Sequence, residues 1–479
     1  SKQKSLTLAF GSKTIKLYES VQGLSSEEIR RLLKAEKYHD IVTAAENEDL
    51  PINTYCLRQL KQALGQLNEQ QLQFYLPGFQ DQRELFDPVT VTFKGGAKEP
   101  FVRWYPYLQG YSPQFVEAIL EKYAPDSKCI LDPFSGTGTT IFTASQLNKK
   151  SYFCEINPVL QFITVTKIQV RKLGTPDRWK LANELLKAQR ALSPLDDFPI
   201  DYRLLVSYQQ TFGNSHFFDD DVYEQVLKLR TWVDEIALEN PLVANLVAIA
   251  ILSALVPASR MKRAGDLRYK TAKEAKQPTP SLLKTISQNL LQMSRDIRHD
   301  VNGLQVEPLL ITENVHSLAH IPHLEIDAVV TSPPYVNGTN YFRNTKIELW
   351  FLRCLTDQND LTKFRAEALT AGINDVTVAK AMVENHPEVE QVVSILEKHA
   401  YDSRIPRMIA SYFSEIINAF QGIRHHLVTD ATIAIDIGDS CYAGVHVPVD
   451  KLLSACLQDL GFAQKDSVHL RQRRSKGGM

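Results

Sequence analysis

The chain runs to 479 residues, 44% of them hydrophobic, with 54 Lys+Arg against 55 Asp+Glu and a net charge of -1. That length exceeds one ordinary core and predicts about two or three domains, and the apolar content excludes a disordered chain. A balanced charge excludes a uniformly basic nucleic-acid binder, so any polyanion contact must come from local patches. The six Cys form no CxxC pair or Cys/His cluster, which predicts reduced thiols and no metal centre. Ser1 to Phe10 lacks a basic-then-apolar signal pattern, and the most apolar run, Pro241 to Ala258, carries Asn245 and Ser253. A buried helix is expected there, with no membrane span.

In chain order, residues 1–95 read as a helical extension. Ser25-Ser-Glu-Glu28 fits a capping box, and apolar periodicity returns over Leu57 to Tyr75. Lys94-Gly-Gly-Ala97 reads as a flexible joint. A helix is expected from Gln114 to Tyr123, with Ser112 before Pro113 as its start signal. Cys129 to Asp132 reads as a short buried strand, Thr139 to Leu147 as a helix, and Ser151 to Cys154 as a second strand. This opens a parallel α/β sheet over 96–165. A helix-rich insertion then spans 166–305, with helices expected at Trp179–Leu192, Val222–Leu238, Leu242–Leu255 and Leu282–Ile297. The sheet resumes over 306–479 through Pro308 to Thr312, Asp327 to Val330 and Ala431 to Ile437, with helices around Ile409–Gln421 and Asp450–Leu460.

Two motifs close predicted strands. Asp132-Pro-Phe-Ser-Gly-Thr-Gly138 is a glycine turn, where Gly136 and Gly138 let backbone approach a ligand. It lacks the third glycine of a dinucleotide fingerprint and the Gly-Lys-Ser/Thr of a Walker loop, so it suits a ligand without pyrophosphate. Glu155 lies at the next strand's end, where a carboxylate accepts from ribose hydroxyls. The second motif is Ser332-Pro333-Pro334-Tyr335. Its residue types suit activation of an amine whose lone pair is delocalised into a ring. Ser332 offers a hydroxyl oxygen and Pro333 a rigidly held carbonyl, while Tyr335 offers a stacking face.

Together and in this order, the two motifs resemble the amino-methylating DNA methyltransferases. The resemblance implies an α/β fold: a Rossmann-like sheet that binds S-adenosylmethionine, carrying the helical extension and the helix-rich insertion. It implies cofactor contacts from Asp132, Pro133, Phe134, Gly136, Gly138, Glu155 and Asn157, and from Tyr107 and Tyr111 beside the methionine end. Asn314 falls where the family usually has Asp. The catalytic residues implied are Ser332, Pro333, Pro334 and Tyr335. Asp436-Ile-Gly-Asp-Ser440 resembles the loop that walls the base pocket, and Ile347-Glu-Leu-Trp350 the segment after the tetrad. Cofactor motif, insertion, then tetrad is the motif order called alpha, in which the insertion recognises the target.

Double-stranded DNA is the implied partner, and a companion restriction endonuclease stays open. Residues 259–276 carry seven Lys/Arg against two acids. Arg260, Lys262, Arg263, Arg268 and Lys270 are therefore expected phosphate contacts, with Arg471, Arg473 and Arg474 as a second patch. The expected enzyme is cytoplasmic, of prokaryotic or phage origin, and makes N4-methylcytosine. N6-adenine methylation, RNA or protein-amide methylation, and a catalytically silent binding module remain open alternatives.

Overall fold

The computed structural model describes residues 5–10, 13–18, 91–106, 110–192, 195–264, 266–300, 302–336, 341–376 and 385–470. The chain divides into two units, Ser1–Pro88 with Asp466–Met479, and Val89–Lys465. In the first unit, β1 (Ser5–Phe10) and β2 (Lys13–Tyr18) form an antiparallel hairpin with Ser5 opposite Tyr18. A strand pair thus stands at the start of the extension expected to be helical. Alternating Leu6/Leu8 and Ile15/Leu17 around Gly11-Ser12 is the local signal for it. The helices expected after Ser25 and over Leu57 to Tyr75 lie outside the described residues.

The second unit is built on α1 (Pro113–Tyr123), β3 (Cys129–Asp132), α2 (Thr139–Gln146), β4 (Lys150–Cys154) and α3 (Pro158–Arg171). Ser112 caps α1 by accepting from Phe115 N at 3.3 Å, as its place before Pro113 predicts. The insertion supplies α4 (Thr175–Ala191), α5 (Tyr202–Phe212), α6 (Asp220–Glu239) and α7 (Pro241–Ala258). Two short strands follow, β5 (Met261–Ala264) and β6 (Asp266–Tyr269), then α8 (Leu282–His299). The sheet returns with β7 (Leu309–Thr312) and β8 (Ile326–Thr331). After them come α9 (Lys346–Phe351), α10 (Pro387–His399), α11 (Arg404–Arg424) and β9 (Leu427–Ile435). A hairpin of β10 (Ser440–Tyr442) and β11 (Val445–Val447) precedes α12 (Val449–Asp459), which Gly461 terminates at φ +87°.

The central sheet has five parallel strands in the order β7-β4-β3-β8-β9. From β3 the chain first moves out to β4 and β7, then returns to β3's other side for β8 and β9. The reversal lies between β3 and β8, and ligand crevices open beyond the carboxyl ends of strands at such a point. Asp132 and Thr331 are the last residues of those two strands.

Strand residues alternate between two cores. Leu131, Tyr152, Cys154 and Val329 face α11 and α12, while Phe153 faces Ile141 and Ile168. The insertion does not fold apart. Its α7 is buried along nearly its whole length, and one continuous cluster joins it to Val159 and Ile163 of α3 and to Trp350 and Phe351 of α9. By length and composition α7 could cross a bilayer, with mean hydropathy 2.1, but 78% of it is buried within the protein.

The expected joint at Lys94–Ala97 is instead a helical turn, Phe93–Gly96, packed on α1: a Cβ at Gly96 would lie 2.9 Å from Pro113 Cδ. The described cysteines, Cys129, Cys154, Cys354, Cys441 and Cys456, are all free.

Candidate functional site

The glycine turn after β3 is anchored from three sides. Gly136 and Gly138 take left-handed backbone at φ +56° and +89°. A Cβ at Gly138 would meet Phe142 Cε2 at 2.7 Å and Thr164 Cγ2 at 3.1 Å, so this glycine is demanded by backbone and by packing alike. Thr164 Oγ1 donates to Gly136 O at 3.1 Å, and Lys167 Nζ donates to Thr137 O at 3.1 Å. With those carbonyls turned toward α3, the Thr137 N–H turns the opposite way. Burial pulls Lys167 down to about 7, with nearby Arg171 adding to the effect. This lysine was missed in the sequence. The signal was there: Leu160, Ile163, Thr164, Lys167 and Arg171 lie along one helical stripe.

Asp132 and Glu155 are both buried carboxyls. Asp132 Oδ1 accepts from Thr331 Oγ1 at 2.7 Å and from Phe134 N at 3.2 Å, which ties the end of β3 to the end of β8. Burial pushes its pKa up to about 6, against those two hydrogen bonds. Glu155 accepts from Asn157 N at 2.8 Å and Gly136 N at 2.7 Å, and burial still raises it to about 8. Asp132 Oδ2 and both Glu155 oxygens keep a lone pair for a ligand hydroxyl, while Asp132 Oδ1 is filled by Thr331 and Phe134. Ser135 Oγ is buried in the turn with no hydrogen-bond partner. A buried unpaired hydroxyl in a loop built on positive-φ glycines, beside two carboxyls, fits a polar ligand such as the ribose and methionine parts of S-adenosylmethionine.

Other expected cofactor residues have different surroundings. Pro133 is buried and Phe134 half-buried beside the turn. Tyr111 is buried, its hydroxyl 2.6 Å from Thr140 Oγ1, and burial raises its pKa well above the usual tyrosine value. Asn157 caps α3 through Val159 N at 3.0 Å and donates to Thr345 Oγ1 at 2.9 Å. Asn314 caps the 3-10 turn Val315–His320 through His316 N at 3.0 Å and donates to Glu367 O at 3.2 Å. Both asparagine side chains are thus engaged by protein. Tyr107 lies outside the described residues.

The tetrad begins immediately after β8. Ser332 is half-buried, Pro333 and Tyr335 are buried, and Pro334 is half-buried. Ser332 Oγ donates to Tyr335 Oη at 3.1 Å, and Tyr335 Oη donates to Asp436 Oδ2 at 2.8 Å. Burial raises the Tyr335 hydroxyl above the usual range, and the Asp436 charge adds to that. Asp436 follows β9, its N–H donating to Thr331 O at 2.9 Å. The backbone of Tyr335 is held as well: its N–H donates to Tyr341 Oη at 2.9 Å. The sequence marked Asp436 only as pocket wall. Its link to Tyr335 spans 101 positions and had no local sign.

The basic stretch of 259–276 forms the β5–β6 hairpin and the turn after it. Each of the five phosphate contacts expected within it has a protein partner. Arg260 pairs with Asp219, Lys262 with Glu274 at 2.8 Å, and Arg268 with Glu274 at 2.8 Å, all partly exposed. Lys270 donates to Ser259 O at 2.6 Å. Arg263 departs from the expectation of an outward cation. Its side chain is 14% exposed and pairs with Glu348, which is fully buried. Arg471, Arg473 and Arg474 lie outside the described residues.

Fold and site together are those of a Rossmann-like α/β methyltransferase sheet, with the glycine turn and the Ser-Pro-Pro-Tyr tetrad meeting at its switch point. Comparison with known proteins refines that class. A family described as DNA methylase matches residues 106–165. The chain is 23% identical over 446 residues to the Type II methyltransferase M.BsoBI of Geobacillus stearothermophilus, covering 82% of this chain and 85% of that protein. It is 25% identical over 436 residues to the Type II methyltransferase M.AvaI of Nostoc sp., covering 80% and 84%. No solved structure matches. These matches support the amino-methylating DNA methyltransferase family as the one this chain resembles.

Proposed function

We propose that this protein transfers a methyl group from S-adenosylmethionine to the exocyclic N4 of cytosine in double-stranded DNA, at a specific site and on an extruded base. The observation that carries the reading is the hydrogen bond between Thr331 Oγ1 and Asp132 Oδ1 at 2.7 Å. It holds the end of the strand leading into the tetrad against the end of the strand leading into the glycine turn. A cofactor in that turn and an amine at Ser332 would therefore be neighbours.

S-adenosylmethionine, when bound, supplies the methyl as an electrophile on a sulfonium. Asp132, Glu155 and the backbone of Ser135 to Gly138 would hold it. The remaining chemistry belongs to Ser332, Pro333, Tyr335 and Asp436. Because the Ser332 O–H is directed at Tyr335, the lone pairs of its oxygen are left to accept from the amine. The chain from Ser332 through Tyr335 to an ionised Asp436 polarises that oxygen and makes it a better acceptor. The nitrogen that gains a methyl must release a proton. Ser332 Oγ can take it while its own proton moves to Tyr335 Oη and the Tyr335 proton to Asp436. Positioning and exclusion of water carry the rate, with no covalent enzyme intermediate. Tyr335 has its hydroxyl fixed at one end, so its ring offers a stationary face to an extruded base.

Ser at 332 favours cytosine over adenine, because the resemblance associates Ser at the head of the tetrad with cytosine N4 and Asp or Asn there with adenine N6. The names of the relatives favour membership of a restriction-modification pair, with a companion endonuclease. The test is nucleoside mass spectrometry of DNA incubated with the protein and S-adenosylmethionine. N4-methylcytosine is expected. N6-methyladenine as the only product overturns the choice of base, and label found only in RNA overturns the choice of DNA. Ser332→Ala should leave both ligands bound while methyl transfer falls by orders of magnitude.

A further inference from the structure

The inward turn of Arg263 follows from strand register. Lys262 lies opposite Arg268, and Arg263 opposite Leu267. Neighbours on a strand face opposite sides, so Lys262 and Arg263 cannot share a surface. Lys262 and Arg268 take the outer face. Arg263 reaches into the protein, where Nη2 is 2.9 Å from Tyr105 Oη, Nε donates to Asn344 O at 3.3 Å, and the guanidinium pairs with Glu348. Three separate segments meet on this one side chain: the insertion's hairpin, the stretch before the glycine turn, and the stretch after the tetrad.

That last stretch also touches the tetrad itself. Tyr341 and Asn344 share one helical turn, and Tyr341 Oη accepts the Tyr335 N–H. Thr345, next in the chain, donates to Tyr341 O at 3.4 Å and accepts from Asn157. Hydrogen bonds and the short covalent stretch Tyr341 to Thr345 together lead from the basic hairpin to the backbone of Tyr335.

We propose that the buried Arg263–Glu348 pair registers the tetrad against the DNA-facing hairpin. Arg263 is then a positioning residue that acts on turnover through Tyr335, and it makes no contact with phosphate. The proposal rests on the DNA methyltransferase reading above. Stability alone does not account for such a pair. Two buried ions give up their hydration, and apolar residues of similar volume often serve as well. Glu348 Oε2 is moreover buried without a partner. What the pair adds is direction, because a planar guanidinium satisfies Glu348, Tyr105 and Asn344 O in one arrangement only.

The experiment compares wild type, Arg263→Met, Arg263→Lys and the double variant Arg263→Met/Glu348→Leu. Each is measured for thermal midpoint, S-adenosylmethionine affinity, salt dependence of DNA binding, and kcat. Arg263→Met strands a buried carboxylate and should lower the midpoint; the double variant should recover most of it. In the double variant kcat should stay down by roughly tenfold, the scale of coupling through such contacts, with cofactor affinity and salt slope unchanged. Arg263→Lys keeps the charge but loses the fork, and its kcat should fall too. Recovery of kcat together with the midpoint, or wild-type kcat in Arg263→Lys, would overturn the proposal. So would a flattened salt slope in Arg263→Met, which would make Arg263 a phosphate contact. A wild-type protein inactive on DNA overturns the functional reading, and this inference with it.

Discussion

Tyr335→Phe isolates the chemistry of the tetrad, because it removes one oxygen and keeps the ring. The hydroxyl receives the Ser332 proton at 3.1 Å and donates to Asp436 at 2.8 Å. Without it, Ser332 Oγ loses the partner that directs its proton away from the amine. The hydroxyl can then rotate and present hydrogen where a lone pair is needed. A hydrogen bond to a charged group is worth about 1.5–3 kcal/mol net. If that stabilisation reaches the reacting nitrogen, turnover falls by about 10- to 150-fold at 1.36 kcal/mol per decade. Cofactor affinity should hold, since the hydrogen bonds that hold Asp132 and Glu155 come from Thr331, Phe134, Gly136 and Asn157. DNA affinity should hold because the stacking face remains. The assay is single-turnover transfer of labelled methyl, beside calorimetric titration of S-adenosylmethionine. A transfer rate equal to wild type would refute the idea that this chain activates Ser332. A reduced Tyr335→Phe rate with a wild-type Asp436→Asn rate would keep the tyrosine but remove the aspartate from it.

Other outcomes follow from the same geometry. Gly138→Ala must hold φ +89° and fit a Cβ 2.7 Å from Phe142. Left-handed backbone costs about 1–2 kcal/mol and overpacking about 1–3, so stability should drop by about 2–5 kcal/mol in denaturant titration; an unchanged midpoint would mean that the turn is loose. Glu155 has its folded pKa raised to about 8 by burial, so the folded state binds more protons than the unfolded state above about pH 5. Cofactor-free protein should therefore lose stability as pH rises from about 5 to 7, and Glu155→Gln should flatten that slope, by at most about 1.4 kcal/mol per pH unit. Lys167, lowered to about 7, works in the opposite sense above pH 7, and Asp132, raised to about 6, adds to the fall below about pH 6 and leaves a residual slope in the variant. A midpoint–pH curve unaltered by Glu155→Gln would contradict this. Replacing Arg260 and Lys262, the half-exposed hairpin cations, with Gln should reduce the salt slope of DNA binding by up to about 2, at 0.9 per phosphate contact. No change in slope would move the recognition surface elsewhere.

What could be read from residues alone was whatever depends on local backbone chemistry. Gly136 and Gly138 mark a turn because few other residues take their φ, and Pro333-Pro334 mark a rigid exit from a strand because proline locks its own backbone. The long amphipathic or wholly apolar helices, Leu282–His299 and Pro241–Ala258, were legible for the same reason: their periodicity or its absence is local. Arg263 was not. Between Lys262 and Arg268 it looked like one more surface cation, and only the pairing of two four-residue strands turns it inward. That hairpin escaped notice because basic residues dominate it and leave little apolar alternation to see. Asp436 and Glu348 escaped because their partners are 101 and 85 positions away. Sheet order was likewise invisible, since neighbours across β3 and β8 come from opposite ends of an insertion.

The shared interior of that insertion has a consequence for how target preference can change. Helix α7 packs on α3 and α9 in one cluster, and α8 is bound to the stretch before the glycine turn, with Asp296 accepting from Trp104 Nε1 at 2.9 Å and Arg103 Nε at 3.0 Å. A recognition region with its own core could be transplanted between enzymes like a cassette. If this insertion is the recognition region, it cannot be lifted out without exposing α3, which holds the glycine turn. On that reading, new specificity would arise by replacing side chains on its rind, chiefly on the β5–β6 hairpin, while its inner helices drift only as fast as the shared core lets them.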